Sequence, residues 1–189
     1  MQATTTFESS NRIFSRSDQV LKTAFDFAFV LPALISLTPL LLIIALVIRL
    51  ETPGPILHRR RAYGRFGQPF IVYKFRTVYV GGRPQQITRV GGLLRRTGLD
   101  ELPKLLNVIN RTMSLVGPHF LTQQDLLRYG TSSRAWLTTK PGLTGLWQVN
   151  GRYHPPISKR IQLDKRYIED WSIWLDCKIL LSTVILMRY

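Results

Sequence analysis

Apolar positions along the chain form one long block followed by several short ones. From Ala24 to Ile48 the run is interrupted only by Asp26, Pro32, Ser36, Thr38 and Pro39. As a helix, Phe25 to Ile48 would measure roughly 36 Å at about 1.5 Å per residue, and the hydrocarbon layer of a bilayer is about 30 Å thick. The segment belongs in a membrane. Pro32 and Pro39 each remove a backbone hydrogen bond, while Ser36 and Thr38 can bond back to the preceding turn and bend the helix. Arg12, Arg16 and Lys22 precede the run; Arg49, Arg59, Arg60, Arg61 and Arg65 follow it. Basic residues near a membrane segment favour the cytoplasm, so both ends ask for the same side. A re-entrant helix that breaks at Thr38-Pro39 and returns satisfies both ends, its freed groups bonded to Ser36 and Thr38. A plain span and a buried soluble helix are the alternatives. Asp26, one turn after Lys22, is expected to pair with it at the interface.

Shorter patterns follow. Met1 to about Ser17 is polar and reads as a flexible arm, not a signal peptide. Residues 18–189 then form a single membrane-associated domain, with 18–50 as its re-entrant helix. Thr52-Pro53-Gly54-Pro55 is a turn. Ile56–Arg61 and Phe70–Val78 alternate as short strands joined through Tyr63–Gly67. Thr88–Arg96 predicts a short helix that Gly98 ends, and Leu102–Ile109 another with Pro103 in its first turn. Leu121–Tyr129 and Ser132–Leu137 read as short helices, and Ile161–Arg188 as one long helix or two. The apolar part of the last, Ile173–Met187, carries Asp176 and Lys178 and is too short to cross. Trp171 and Trp174 suit a headgroup region, so the expected C-terminal helices are amphipathic and interfacial, with core packing as the alternative. The expected class is α+β and mostly helical, with a small globular cytoplasmic part containing short strands.

Charge narrows the partners. The chain has 26 Lys and Arg against 11 acids, a net charge of +15. Such a surface calls for an anion: nucleic acid, anionic membrane lipid or a phosphorylated substrate. One cysteine, Cys177, excludes an intrachain disulfide and fits a reducing compartment. His58, His119 and His154 lie far apart and beside no cysteine, so zinc is not expected. No Walker loop or G-x-G-x-x-G occurs.

Two adjacent acids, Asp100 and Glu101, stand in the basic centre of the chain, at or beside a predicted helix start. Helix capping alone would explain both. The other explanation is chemical: a helix start binds phosphate, and an ionised Asp can act as nucleophile in covalent phosphoryl transfer. Glu101 would point about 100° away around the helix axis, where it could hold Mg2+. Lys74 and Arg76 on the second strand are either a solvated edge or a pair of cations aimed at a diphosphate. Arg89 and Arg96, seven apart, share a helix face and could clamp phosphate. In the Gly-rich stretch 140–152, Trp147, Gln148 and Asn150 could meet a base or sugar, and Arg152 a phosphate; a structural turn is the alternative. Asp164 and Asp176 serve metal or structure.

Several blocks in order carry a resemblance: Pro53-Gly54-Pro55, Tyr73-Lys74-Phe75-Arg76-Thr77, Leu94-Arg95-Arg96, Leu99-Asp100-Glu101-Leu102-Pro103 and Met113–Pro118. Lys140–Arg152 and Leu163-Asp164-Lys165-Arg166-Tyr167-Ile168 complete the set. Together they resemble the bacterial sugar transferases, small monotopic polyprenyl-phosphate glycosyl-1-phosphate transferases, over roughly Ser17 to Arg188. The resemblance implies a UDP-sugar donor, a polyprenyl (undecaprenyl) phosphate acceptor, Mg2+ and a site on the cytoplasmic face of the bacterial inner membrane. It also implies a re-entrant helix broken at a Ser-Pro pair, matched here by Thr38-Pro39. Asp100 matches the nucleophile and Glu101 the metal-handling residue; Lys74, Arg76, Arg89, Arg96, Gln148 and Arg152 are the candidate phosphate and nucleotide contacts. The implied role is initiation of an exopolysaccharide, capsule, O-antigen or glycoconjugate, and a homo-oligomer is compatible with it.

The chain departs from the family pattern at three places. His119-Phe120 replaces Arg-Pro, Gly98 replaces a Ser, and Thr112 replaces an Asp. The first removes a cation expected near phosphate. Two rival classes follow from the same residues: a non-catalytic membrane scaffold for glycan assembly, and a membrane-tethered nucleic-acid binder, which would not account for two acids in the basic centre.

Overall fold

A computed structural model describes residues 15–81, 86–129, 136–150 and 156–186. Its first element is helix α1 (Arg16–Glu51), 36 residues long. Ser15 caps it by accepting from Asp18 N, and the Asp18 carboxylate returns the bond to Ser15 N, a reciprocal box that satisfies two orphan amides. The helix runs through Pro32 and Pro39 without interruption. The expected break at Thr38-Pro39 is therefore not present as a gap in the helix. The reason is local: Pro39 removes one donor, while Thr38 Oγ1 donates to Leu34 O at 2.7 Å and Ser36 Oγ to Ala33 O at 3.0 Å, keeping that turn bonded.

One stripe of α1 faces the rest of the molecule. Lys22, Asp26, Val30, Ile44 and Ile48 are buried, and Leu34, Leu37 and Leu41 fill the gap between them. The other faces are apolar and bare: Phe29, Leu31, Ile35, Leu42, Ile43, Leu46 and Leu50 are all exposed. So large a bare apolar surface needs a non-aqueous neighbour.

The predicted strands are β1 (Leu57–Tyr63) and β2 (Pro69–Phe75), an antiparallel hairpin in which His58 faces Lys74 and Leu57 faces Phe75. Helix α2 (Arg89–Thr97) starts on Thr88, whose hydroxyl accepts from Gly91 N, and stops at Gly98. With φ of 72°, Gly98 is in the left-handed region, where a side chain is disfavoured. A 3-10 turn (Leu99–Lys104) and helix α3 (Leu105–Ile109) follow at once. The predicted Leu102–Ile109 helix is thus split: Pro103 sits in the 3-10 turn and the α-helix begins after it. Strand β3 (Ser114–Val116) pairs in parallel with β4 (Gly142–Thr144). Helix α4 (Gln123–Tyr129), the short α5 (Leu146–Asn150), α6 (Ile157–Glu169) and α7 (Ile173–Leu186) complete the chain. The class is α+β and mostly helical, as expected.

Two apolar cores result. The larger gathers Val30, Val72, Val108, Met113, Val116, Tyr167, Trp171 and Ile179. The smaller joins Ile44 and Ile48 of α1 to Phe75 of β2 and Leu94 of α2.

The C-terminal helices carry two corrections. Trp171 is a core residue, not a headgroup one: it is 3% exposed and its indole N–H donates to Asp176 Oδ2. Trp174 is 68% exposed, with Leu181, Val184 and Ile185 also bare. Lys22 does not pair with Asp26. Its ammonium meets Asp176 Oδ2 at 2.7 Å and the Tyr167 hydroxyl at 3.0 Å, while Asp26 accepts from Ser114 Oγ and Leu115 N. Both charges are buried against the body, and each takes the partner that the packed elements bring to it.

Candidate functional site

Asp100 and Glu101 sit in the 3-10 turn, immediately after the left-handed Gly98. That glycine turns the chain sharply between α2 and α3, so both carboxylates project beside the end of the β1–β2 hairpin. Gly91 lets α2 approach as closely as it does: a Cβ there would lie 2.2 Å from Thr77 O. Asn107 fixes the hairpin to α3, accepting from Tyr73 N and donating to Ile71 O.

The two acids are treated very differently. Lys74 Nζ donates to Glu101 Oε1, and Lys104 Nζ reaches Oε2 at 3.0 Å. Lys104 itself is buried, its ammonium 5.2 Å from the centre of the Phe120 ring. Burial works to raise the Glu101 pKa, but Lys104 and Lys74 outweigh it and hold it down at about 2. Glu101 is therefore ionised at neutral pH.

Asp100 makes no such pair among the described residues. It lines a cleft of about 410 Å³ with His58, Lys74, Thr77, Arg95 and Glu101. Burial pushes its pKa above the ordinary 3.8, Lys74 opposes that, and the neighbouring Glu101 charge adds to it. Helix capping does not explain Asp100. The cap of its turn is Gly98, and no side chain bonds the turn's amides. An uncommitted carboxylate facing a cation-lined cleft is equipped to attack an electrophile whose anionic oxygens the cations hold.

The candidate residues separate on this geometry. Lys74, Asp100 and Glu101 come together. Arg76 does not join them: it is buried and donates to Thr52 O, Pro53 O and Thr52 Oγ1. Strand alternation predicts that Lys74 and Arg76 share a face, but the ladder ends at Phe75, so the alternation does not carry that far. Arg89 and Arg96 are exposed on α2, and it is Arg95 that enters the cleft, its Nε donating to Thr77 Oγ1 at 2.8 Å. Arg152 lies outside the described residues. Among the described residues no group of three or more His, Cys, Asp and Glu gathers as a metal cage.

Gln148 does not line the cleft. Among the described residues its buried Oε1 has no hydrogen-bond partner, nor have Trp147 Nε1, Arg160 Nε and Asp164 Oδ1. Arg160 stacks on Trp147 at 4.3 Å, and His119 meets the edge of the same ring at 5.3 Å. Burial first, then Arg160 and Lys104, push the His119 pKa down to about 3, so this histidine is neutral at physiological pH. Asp164 is structural: it accepts from His119 N and Trp136 Nε1, and burial raises its pKa to about 6. Asp176 is structural as well, held by Lys22, Tyr167 and Trp171.

Sequence reasoning missed Lys104, His58, Thr77 and Arg95. Two of these carried a signal: Arg95 stands among the cations just before the acids, and Lys104 three residues after Glu101 in a helical stretch.

Comparison with known proteins identifies the family. The family model for bacterial sugar transferases matches residues 17–188. The exopolysaccharide production protein ExoY of Sinorhizobium fredii is 33% identical over 190 positions, covering 87% of this chain and 84% of that protein. The UDP-glucose:undecaprenyl-phosphate glucose-1-phosphate transferase of Escherichia coli is 35% identical, covering 88% of this chain and 40% of its own length. The Xanthomonas campestris protein of the same name is 39% identical over 88% of this chain and 38% of its own. The chain thus spans most of the smaller relative and less than half of the larger ones.

Proposed function

The chain belongs to the bacterial sugar transferase family, and from that premise we propose that it transfers a sugar-1-phosphate from a UDP-sugar to undecaprenyl phosphate, the step that starts an exopolysaccharide or related glycan. Asp100 is the nucleophile. Its carboxylate oxygen attacks the phosphorus that bears the sugar, the bond from that phosphorus to the bridging oxygen breaks, and UMP leaves with the electron pair. A phosphate oxygen of the lipid acceptor then attacks the same phosphorus and frees Asp100, giving the lipid diphosphate sugar. No net proton transfer to Asp100 is required, which suits a carboxylate without a base beside it.

The observation that carries this reading is the division of labour within the dyad. Glu101 is saturated by two lysines, while Asp100, one residue away, is left facing the cleft. Lys74 and Arg95 line that cleft as donors to diphosphate oxygens. Mg2+ binds through one or two carboxylates plus substrate phosphates; Glu101 would be the residue to hold it, and would have to give up its bond to Lys74 to do so. The ion would neutralise charge on the departing phosphate.

A placement in which α1 does not cross the bilayer is supported by its two ends. Lys22 near the start and Ile48 near the finish both pack on the same body. A helix crossing the bilayer would carry one of those ends to the far side. A body on the cytoplasmic face of the inner membrane, with the basic flanks beside it, meets both constraints. Cysteines placed at Ser15 and Arg65 and labelled in intact cells test this; opposite accessibility of the two would mean a crossing helix.

Activity is tested directly by offering a panel of UDP-sugars with Mg2+ and following UMP release and a phosphosugar adduct on Asp100. If Asp100→Asn forms product at the wild-type rate, the nucleophile is another residue.

A further inference from the structure

The molecule has a second and larger cavity, and it is not part of the cleft. About 750 Å³ in volume, it lies beside the first turns of α1 and is lined by Arg16, Lys22, Arg65, Arg111 and Lys140 with a single acid, Asp26. No residue is shared with the cleft. The hairpin separates them: His58 lines the cleft and Arg65, just past the strand's other end, the cavity, and five steps from His58 to Tyr63 at about 3.3 Å put the two ends of the strand roughly 16 Å apart.

Two of the five cations have anchors of their own. Lys22 is held by Asp176 and Tyr167, and Arg65 donates to Thr138 O and Gln19 Oε1. Asp26 is taken up by Ser114 and Leu115. Arg16, Arg111 and Lys140 form no ion pair among the described residues. Arg111 is set by a backbone φ of 58° with its guanidinium 5.6 Å from the Phe27 ring centre. Lys140 is partly buried among like charges; burial first and then Arg111, Arg65 and Lys22 lower its pKa, with Asp26 opposing. Five cations gathered around a hollow against one acid among the described residues, Asp26, leave an excess of positive charge that calls for an anion.

The walls say what kind of anion. Val20, Ala24 and Phe27 of α1 form one side of the cavity, and they continue into the bare apolar surface of Phe29 and Leu31. A soluble phosphate uses only the cations. A phosphate carried on acyl chains uses both.

We propose that this cavity is a binding site for the headgroup phosphate of an anionic phospholipid, held by Arg16, Arg111 and Lys140 with its chains along α1. The proposal rests on the reading of α1 as a membrane helix and is independent of the chemistry at Asp100. Its distance from the cleft makes the lipid a fixture that seats the protein on the bilayer, not the acceptor.

The test compares binding to phosphatidylcholine vesicles with and without phosphatidylglycerol. Wild type prefers the anionic vesicles. R111Q/K140Q loses that preference by a factor on the order of ten or more, since each Lys or Arg near an anionic surface is worth a factor of about five. R59Q/R60Q, which removes two exposed charges from β1, keeps most of it, and the charge-retaining R111K/K140R keeps it too. Equal loss in R111Q/K140Q and R59Q/R60Q would mean diffuse attraction and overturn the site, as would loss in R111K/K140R. Selective displacement from anionic vesicles by inorganic phosphate over equimolar sulfate would mark competition for the cavity; if phosphate binds wild type and not R111Q/K140Q while both bind the anionic vesicles equally, the cavity takes free phosphate and the lipid assignment fails. UMP release in detergent, measured on the same R111Q/K140Q protein, reports the catalytic reading separately and is expected to persist.

Discussion

Two clusters in this protein use the same parts to opposite ends. Under α1, Lys22 and Asp176 form an ion pair whose side chains are 7% and 0% exposed, with Tyr167 and Trp171 completing the carboxylate's bonds. In the cleft, Lys74 and Lys104 pair with Glu101, and the adjoining Asp100 is left over. The first cluster is closed and every charge in it is answered. The second is open on one side and has a spare carboxylate. In a chain so rich in cations an acid without a partner is the unusual thing, and it is there that chemistry is to be sought.

That contrast can be broken by substitution. The largest effect is expected at Asp100→Asn: sugar-phosphate transfer falls about a thousandfold or more, while thermal unfolding is little changed, read by UMP release and circular dichroism. Asp176→Asn should do the reverse. It strands a buried Lys22, at a cost of about 3–5 kcal/mol, and lowers the unfolding midpoint, with activity lost only as the fold is lost. Lys104→Met falls between them, because it leaves one Glu101 oxygen unanswered at about 1–3 kcal/mol and disturbs the cleft; transfer should slow with a smaller change in stability.

The gentlest probe is pH. Glu101 has a folded pKa depressed from 4.5 to about 2, so its stabilising contribution is full above 4.5 and disappears as pH falls toward 2. Asp100 is shifted the other way, above 3.8, so on acidification it takes up its proton before Glu101 does. Activity should therefore fall at a pH where the lysine pairs are still intact. Coincident loss of rate and of stability on one acid limb would contradict the assignment of separate roles.

Much of this was visible in the residues, for physical reasons that also explain the omissions. The hairpin, α2 and the long apolar helix announce themselves by period and by punctuation at Thr52–Pro55 and Gly98. Asp100 and Glu101 stand out because acids are scarce around them. Lys104 stands three residues after Glu101, which signals a pair, but nothing local marks a lysine that will be buried, and that depends on Phe120 and Glu101 meeting in three dimensions. Lys22 illustrates the same limit: its neighbour in sequence is Asp26, but packing brings Asp176 from 154 positions away. Arg76 was misread because strand alternation was extended one residue past the end of the ladder.

The lodging of Arg76 has a mechanical consequence. Its guanidinium grips the carbonyls of Thr52 and Pro53 where α1 ends, two positions along the chain from Lys74 in the cleft. The long apolar helix and the neighbour of the proposed nucleophile are thus riveted at one joint. With that helix in a bilayer as proposed, its depth would fix the altitude of the cleft above the water line, and a thinner or thicker membrane would raise or lower the two together.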